Sequence, residues 1–135
     1  MPSENKKRIL VVEDELDIRE LLEIVLTIRG FQVALAENGR RGLETLTTFK
    51  PDLVLLDLAM PELDGIGFLK GKSELADHST VPVIVLSARD KSRDAGLAIE
   101  MGADTYISKP FDTEAVISNV NRLLAKMDAR AAPSA

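Results

Sequence analysis

The sequence predicts an α/β protein: a doubly wound, five-stranded parallel sheet of strand order 2-1-3-4-5, with helices on both faces. Three observations carry this. Five short apolar runs alternate with five longer stretches of helical period, and such alternation implies right-handed crossovers into a parallel sheet. Ile9–Val12, Leu53–Leu56 and Val83–Leu86 are apolar at every position, as strands covered on both faces must be. Phe31–Ala36 alternates and Thr105–Ile107 is mixed, so these two belong at the edges. The switch point of that order lies between the first and third strands, where such sheets bind ligands at their carboxyl ends.

Each element has its own signal. Ahead of the first run, residues 1–7 are polar and basic and are expected to be loosely ordered. Ile18, Leu21, Leu22, Val25 and Ile28 recur at spacings of three and four, which is one helix face, and Gly30 stands where a left-handed cap ends a helix. Asn38-Gly39 opens a second helix with Leu43 and Leu46 inward. Pro61 to Gly65 reads as loop, with Asp64 capping a third helix that carries Ile66 and Leu69. Gly65, Gly67 and Gly71 all lower that helix's propensity. A fourth helix is expected from about Ser92 to Met101, stopping at Gly102. Asp112 caps the fifth, in which Val116, Val120, Leu123 and Met127 form a stripe beside Ile117 and Leu124. Ala129 to Ala135 is small, polar and Pro-containing and is expected to fray; residues 8–127 are expected to form the domain and 128–135 a C-terminal tail with no output domain.

Composition closes several doors. At 135 residues one domain is expected. Twenty-two acids against 17 Lys+Arg leave a net charge of −5, which disfavours non-specific binding to nucleic acid or anionic lipid. With no cysteine there is no disulfide, thiolate catalysis or Cys-ligated metal. His78, the single histidine, rules out a His-rich metal cage; it lies in a polar loop and has no assigned role. No apolar run approaches the ~18 residues of a spanning helix, and the first is too short for a signal-peptide core. The expected location is the cytoplasm.

Chemistry collects at one end of the sheet. Glu13 and Asp14 follow the first run, Asp57 the third, Ser87 the fourth and Lys109 the fifth. Three acids and one ammonium sum to −2 there, and close carboxylates raise one another's pKa unless a cation joins them. Only oxygen ligands are on offer, so the ion is a hard one, Mg²⁺ or Mn²⁺. A carboxylate beside such an ion, a lysine and a hydroxyl suits phosphoryl transfer, the carboxylate oxygen attacking phosphorus in line. Taken singly, each residue has a plainer reading. Asp after a strand makes caps and turns, Ser87 is unremarkable, Lys109-Pro110 is a stiff turn, and Tyr106 is a half-buried core aromatic. Gly65-Ile66-Gly67 lacks the setting of a dinucleotide fingerprint, and there is no Walker-type loop. Arg89, Lys91 and Arg93 read as a solvated helix start, or a meeting point for an acidic partner.

Four segments together carry a specific resemblance. Val11-Val12-Glu13-Asp14-Glu15, Leu55 to Gly65 (LLDLAMPELDG), Leu86-Ser87-Ala88 and Gly102 to Phe111 (GADTYISKPF) resemble the receiver domain of two-component response regulators, over roughly Arg8 to Met127. The resemblance implies the flavodoxin-like (βα)5 fold. It makes Asp57 the acceptor of a phosphoryl group from a histidine kinase's phosphohistidine. It makes Asp14 a direct Mg²⁺ ligand, Glu13 an acid acting through a metal-bound water, and the Ala59 carbonyl a further ligand. Lys109 would pair with the acceptor and then with its phosphoryl oxygen, Ser87 would be the switch hydroxyl, and Tyr106 the aromatic that rotates in behind it. The Lys109–Pro110 bond would be cis. Two departures stand out: Glu13 is longer than the usual aspartate, and Ala59 has no polar group to steer an attacking water. With Arg89 close by, that variation bears on how long the phosphate survives.

The function expected from this likeness is that of a stand-alone receiver of chemotaxis or phosphorelay type, phosphorylated with Mg²⁺. It would be no enzyme beyond its own phosphorylation and dephosphorylation. Its partners would be a sensor histidine kinase or phosphotransfer protein, and a downstream protein met by the face of the fourth helix, fifth strand and fifth helix. No direct nucleic-acid contact or membrane insertion is expected, and the state is monomer or phosphorylation-dependent dimer. Two alternatives stand beside it. One is a receiver cut from a longer regulator, with Ala129–Ala135 opening a linker. The other is a small Mg²⁺-dependent phosphatase with Asp57 as nucleophile, although its usual second acid would fall at Ala59 and no cap domain fits. A degenerate receiver that only binds partners would have lost the acceptor or the lysine, and both are present.

Overall fold

The computed structural model describes residues 6–58, 65–87, 96 and 98–131. In chain order they form β1 (Arg8–Val12), α1 (Leu16–Ile28), β2 (Gln32–Ala36), α2 (Gly39–Phe49), β3 (Leu53–Asp57), α3 (Gly65–Ser73), β4 (Val83–Ser87), β5 (Thr105–Ser108) and α4 (Thr113–Ala131). Gly96 and Ala98–Glu100 are also helical. The sheet order is β2-β1-β3-β4-β5 and every pairing is parallel, as the apolar runs predict.

Side chains of successive strand residues point to opposite faces, and the sheet therefore has two cores. Leu10, Val12, Val54, Leu56, Val83 and Val85 meet Leu46 of α2 and Phe68 and Leu69 of α3. Ile9, Val11, Leu53, Leu55, Ile84 and Leu86 meet Leu22 and Leu26 of α1 and the Val116–Ile117–Val120–Leu123–Leu124 stripe of α4. The edge strands β2 and β5 are only partly covered.

The expected caps form. Asn38 accepts a hydrogen bond from the Arg41 N–H at 2.9 Å, Asp112 accepts one from the Glu114 N–H at 3.0 Å, and Gly30 sits at φ 94°. Asp64 and the expected helix start near Ser92 lie outside the described residues. The glycines that weaken α3 locally are what let it pack. A Cβ on Gly65 would come within 2.5 Å of the Leu58 Cα, and one on Gly71 within 2.7 Å of a Leu43 methyl.

Order extends further at both ends than expected. The last helix runs through Ala131, past Ala129 where fraying is expected, in keeping with alanine's high helix propensity. Lys7, expected in a loose N-terminus, pairs with Asp128 at 2.8 Å, and its carbonyl accepts from the Gln32 N–H at 2.9 Å.

One buried charge was not foreseen. Lys72 of α3 is 3% exposed, its Nζ donates to the Ser79 carbonyl at 3.0 Å, and burial pushes its pKa down against the opposing charge of Asp104. Burying an ammonium costs more than one such contact returns. Lys72→Met is expected to stabilise the fold by about 1 kcal/mol, raising the midpoint in calorimetry. A lower midpoint would show that the Ser79 tether matters more than the charge.

Candidate functional site

The strand order and register bring five predicted residues to one end of the sheet. Glu13 leaves β1, yet its N–H still donates to the Ala36 carbonyl of β2 at 3.0 Å, which keeps it on the sheet and 1% exposed. Asp57 and Ser87 are the last residues of β3 and β4, both buried, so they are held by the strands themselves and not by the loops beyond. Lys109 follows β5, and its N–H donates to the Ser87 carbonyl at 2.7 Å. The carboxylate oxygens of Glu13, Asp14 and Asp57 lie within 4.8 Å of one another, with Asp14 the most open to solvent.

Lys109 is the hub of this cluster. Its side chain is 9% exposed, and its Nζ lies 3.0 Å from Glu13 Oε1, 3.6 Å from Asp57 Oδ2 and 3.6 Å from Glu15 Oε1. The resemblance pairs this lysine with Asp57; its closest partner here is Glu13, to which it donates a hydrogen bond. The Lys109–Pro110 bond is cis, as the resemblance implies. Tyr106 stands opposite Val85 and packs half-buried against the core that holds α2 and α3. Ala59 and Arg89 lie outside the described residues.

Two residues escaped sequence reasoning. Arg19 Nη1 donates to the Glu13 carbonyl at 2.8 Å and reaches the Asp14 carbonyl at 3.4 Å, pinning the backbone that presents both acids. Glu15, quoted above only as part of a motif, gives its N–H to Glu13 Oε2 at 3.1 Å and its carboxylate to Lys109. A readable signal existed for the second: Glu15 occupies an N-cap position, where Ser, Thr, Asp or Asn is preferred.

The electrostatics follow from burial. Loss of water pushes the Glu13 carboxyl up to about 7; the nearby Asp57 charge adds to this, while hydrogen bonds from the Glu15 N–H and Lys109 oppose it. Burial works against the Lys109 ammonium, but the hydrogen bond to Glu13 and the charges of Asp57, Glu13 and Glu15 outweigh it and hold the pKa above its ordinary value. Among the described residues of the cluster, the acids outnumber the Lys109 ammonium. An all-oxygen donor set crowded within one ion's reach fits a hard divalent ion.

The sign of the resulting pH dependence is fixed. Glu13 takes its proton more readily folded than unfolded, so its contribution to stability is complete below the ordinary value of 4.5 and is lost as pH rises through about 7. With divalent ions chelated, the urea midpoint is expected to fall between about pH 4.5 and about pH 7 and to level off above that, and Glu13→Gln is expected to remove that part of the slope. An unchanged slope in the variant would show that Glu13 ionises normally.

A doubly wound five-stranded parallel sheet with clustered carboxylates at its switch point defines a flavodoxin-like domain with an acidic, oxygen-lined site. The sequence pattern of the response regulator receiver domain matches residues 9–121, and the chain belongs to that family. It is 43% identical over 125 residues to the KDP operon transcriptional regulatory protein KdpE of Escherichia coli, covering 93% of this chain and 54% of that protein. To the transcriptional regulatory protein CseB of Streptomyces coelicolor it is 39% identical over 122 residues, covering 90% and 51%. The chain thus spans about half the length of these relatives. Among solved structures, the receiver domain of the Francisella response regulator 1452 superposes with a TM-score of 0.83 at 30% identity, covering 90% of this chain and 99% of that one. Among the described residues no helix is long and apolar enough to cross a membrane.

Proposed function

We propose that this domain is a phosphorylation switch in which Asp57 accepts a phosphoryl group from the phosphohistidine of a sensor histidine kinase or phosphotransfer protein. The observation that supports it most is the setting of Asp57: a buried carboxylate, one of three within 4.8 Å, with the Lys109 ammonium 3.6 Å away. Glu13, Asp14, Asp57 and the Ala59 carbonyl would hold Mg²⁺, which when bound neutralises phosphoryl oxygens and orients the group for in-line transfer. An Asp57 oxygen forms the new bond to phosphorus as the bond to the donor imidazole nitrogen breaks, and the imidazole keeps that electron pair. Lys109 follows the incoming charge from Glu13 to the phosphoryl group, and the Ser87 hydroxyl donates to a second oxygen. The space that Ser87 leaves admits Tyr106, remodelling the surface formed by the helical segment at Ala98–Glu100, β5 and α4. Local charge thereby biases a two-state element.

A protein donor has a seat beside the acceptor. A groove of about 500 Å³ is lined by Glu15, Ile18, Leu21, Lys109, Pro110 and Phe111, and Leu16, Leu21, Ile24 and Ile28 leave α1 with exposed apolar side chains. The chemistry is confined to making and hydrolysing the domain's own acyl phosphate; no acid stands at Ala59 for turnover of a separate substrate. Output leaves through the remodelled face, either to a separate protein or to an output domain joined to the receiver, as the names and lengths of KdpE and CseB suggest.

The test is mass spectrometry after incubation with acetyl phosphate and either Mg²⁺ or EDTA. The expected result is a Mg²⁺-dependent gain of one base-labile phosphoryl group, mapped to Asp57. A folded, Mg²⁺-binding protein that takes neither this adduct nor beryllofluoride, a stable stand-in for the phosphoryl group, would overturn the reading.

A further inference from the structure

Glu15 is oddly spent for a helix N-cap. Its backbone is extended, at φ −81° and ψ 119°, and its side chain makes no capping hydrogen bond to α1. The carboxylate instead stands 3.6 Å from Lys109 Nζ and lines the groove that opens beside the site. The three acids around Lys109 are not equivalent. Glu13 is 1% exposed and locked by hydrogen bonds from the Glu15 N–H and Lys109. Asp57 is fixed at the end of β3. Glu15, with its side chain 62% exposed, is the member that can let go.

We propose that Glu15 is a positioning residue that holds Lys109 toward the groove in the unphosphorylated domain and competes for it with a phosphoryl group on Asp57. The proposal rests on the acceptor reading of Asp57. An exposed ion pair is weak and screened by solvent, so it steers Lys109 without trapping it, and the larger charge of a phosphoryl group wins. The pair exists only on the unphosphorylated side of the equilibrium, so it favours that side. Removing the Glu15 charge frees Lys109 and tightens binding of any phosphoryl-like anion at Asp57.

The experiment is calorimetric titration of the full chain with beryllofluoride in excess Mg²⁺. Glu15→Gln is expected to bind about two- to fivefold more tightly than the unsubstituted protein, the range that an exposed pair allows. Asp17→Asn makes the same charge change in the first turn of α1, outside the contacts of Lys109, and is expected to leave affinity unchanged. The ion-free thermal midpoint of Glu15→Gln should fall by no more than a few degrees, since an exposed pair is lost but no cap. Equal or weaker binding by Glu15→Gln overturns the proposal, and so does an equal gain from Asp17→Asn, which would reduce the effect to net charge. If the unsubstituted protein takes neither beryllofluoride nor the phosphoryl group of acetyl phosphate, the acceptor reading fails and this proposal falls with it; the two failures are thus distinguished.

Discussion

Asp57→Asn is expected to abolish Mg²⁺-dependent phosphorylation while making the ion-free domain more stable. An amide of the same shape keeps the packing at the end of β3 but offers phosphorus no anionic oxygen, so the adduct from acetyl phosphate should vanish from the mass spectrum. The gain in stability comes from the neighbours. Asp57 faces the carboxylates of Glu13 and Asp14 within 4.8 Å and the Lys109 ammonium 3.6 Å away. Relief of carboxylate repulsion at such distances is expected to be worth on the order of 1 kcal/mol at the effective dielectric of a protein site. The same change lowers the Glu13 pKa, because the Asp57 charge is one of the causes that raise it. Mg²⁺ affinity should drop at least tenfold by calorimetry, by analogy with the loss on removing a supporting metal contact. Labelling at an undiminished rate, or a lower thermal midpoint without ions, would contradict this account.

The largest loss of stability is expected from Gly65→Ala. A Cβ there would lie 2.5 Å from the Leu58 Cα, 2.7 Å from the Leu58 carbonyl oxygen and 2.8 Å from the Asp57 carbonyl oxygen. All three obstacles are backbone, so no side chain can swing aside. The start of α3 must withdraw and strain the Gly65 N–H bond to the Leu58 carbonyl, 3.1 Å long. The cost should be about 2–4 kcal/mol, read as the change in urea midpoint. Gly71→Ala is the control, since its nearest obstacle is a Leu43 methyl at 2.7 Å at the end of a flexible side chain, and it should cost less than about 1 kcal/mol. The displaced backbone in Gly65→Ala carries Asp57, so Mg²⁺ affinity should weaken in this variant and hold in Gly71→Ala. Equal stability of the two variants would show that α3 yields more easily than its packing implies.

These two variants mark the boundary between sequence and structure. Asp57 could be picked out from residue order only together with the residues that follow the other runs, because jointly these runs read as strands that deliver their next residues to one end of the sheet. The same logic located Glu13, Ser87 and Lys109, and the burial of β1, β3 and β4 against the partial cover of β2 and β5 ordered the strands. Gly65 gave the opposite signal. Its low helix propensity counts against α3 locally, whereas the close approach of α3 to Leu58 requires it, and that approach is invisible without the neighbouring backbone.

By itself, then, the sequence determined the fold class, the strand order, most helix caps and the end of the sheet where the acids gather. These are all readable because side-chain periodicity and cap chemistry act over a few residues. Only the tertiary structure decided that Lys109 donates its hydrogen bond to Glu13, that the Glu13 carboxyl rises to about 7, that Arg19 pins both acids by their carbonyls, and that Glu15 reaches Lys109 instead of capping its helix. Lys109 is 96 positions from Glu13, and a distance of 3.0 Å across such a span is set by strand register and packing, which no local pattern encodes.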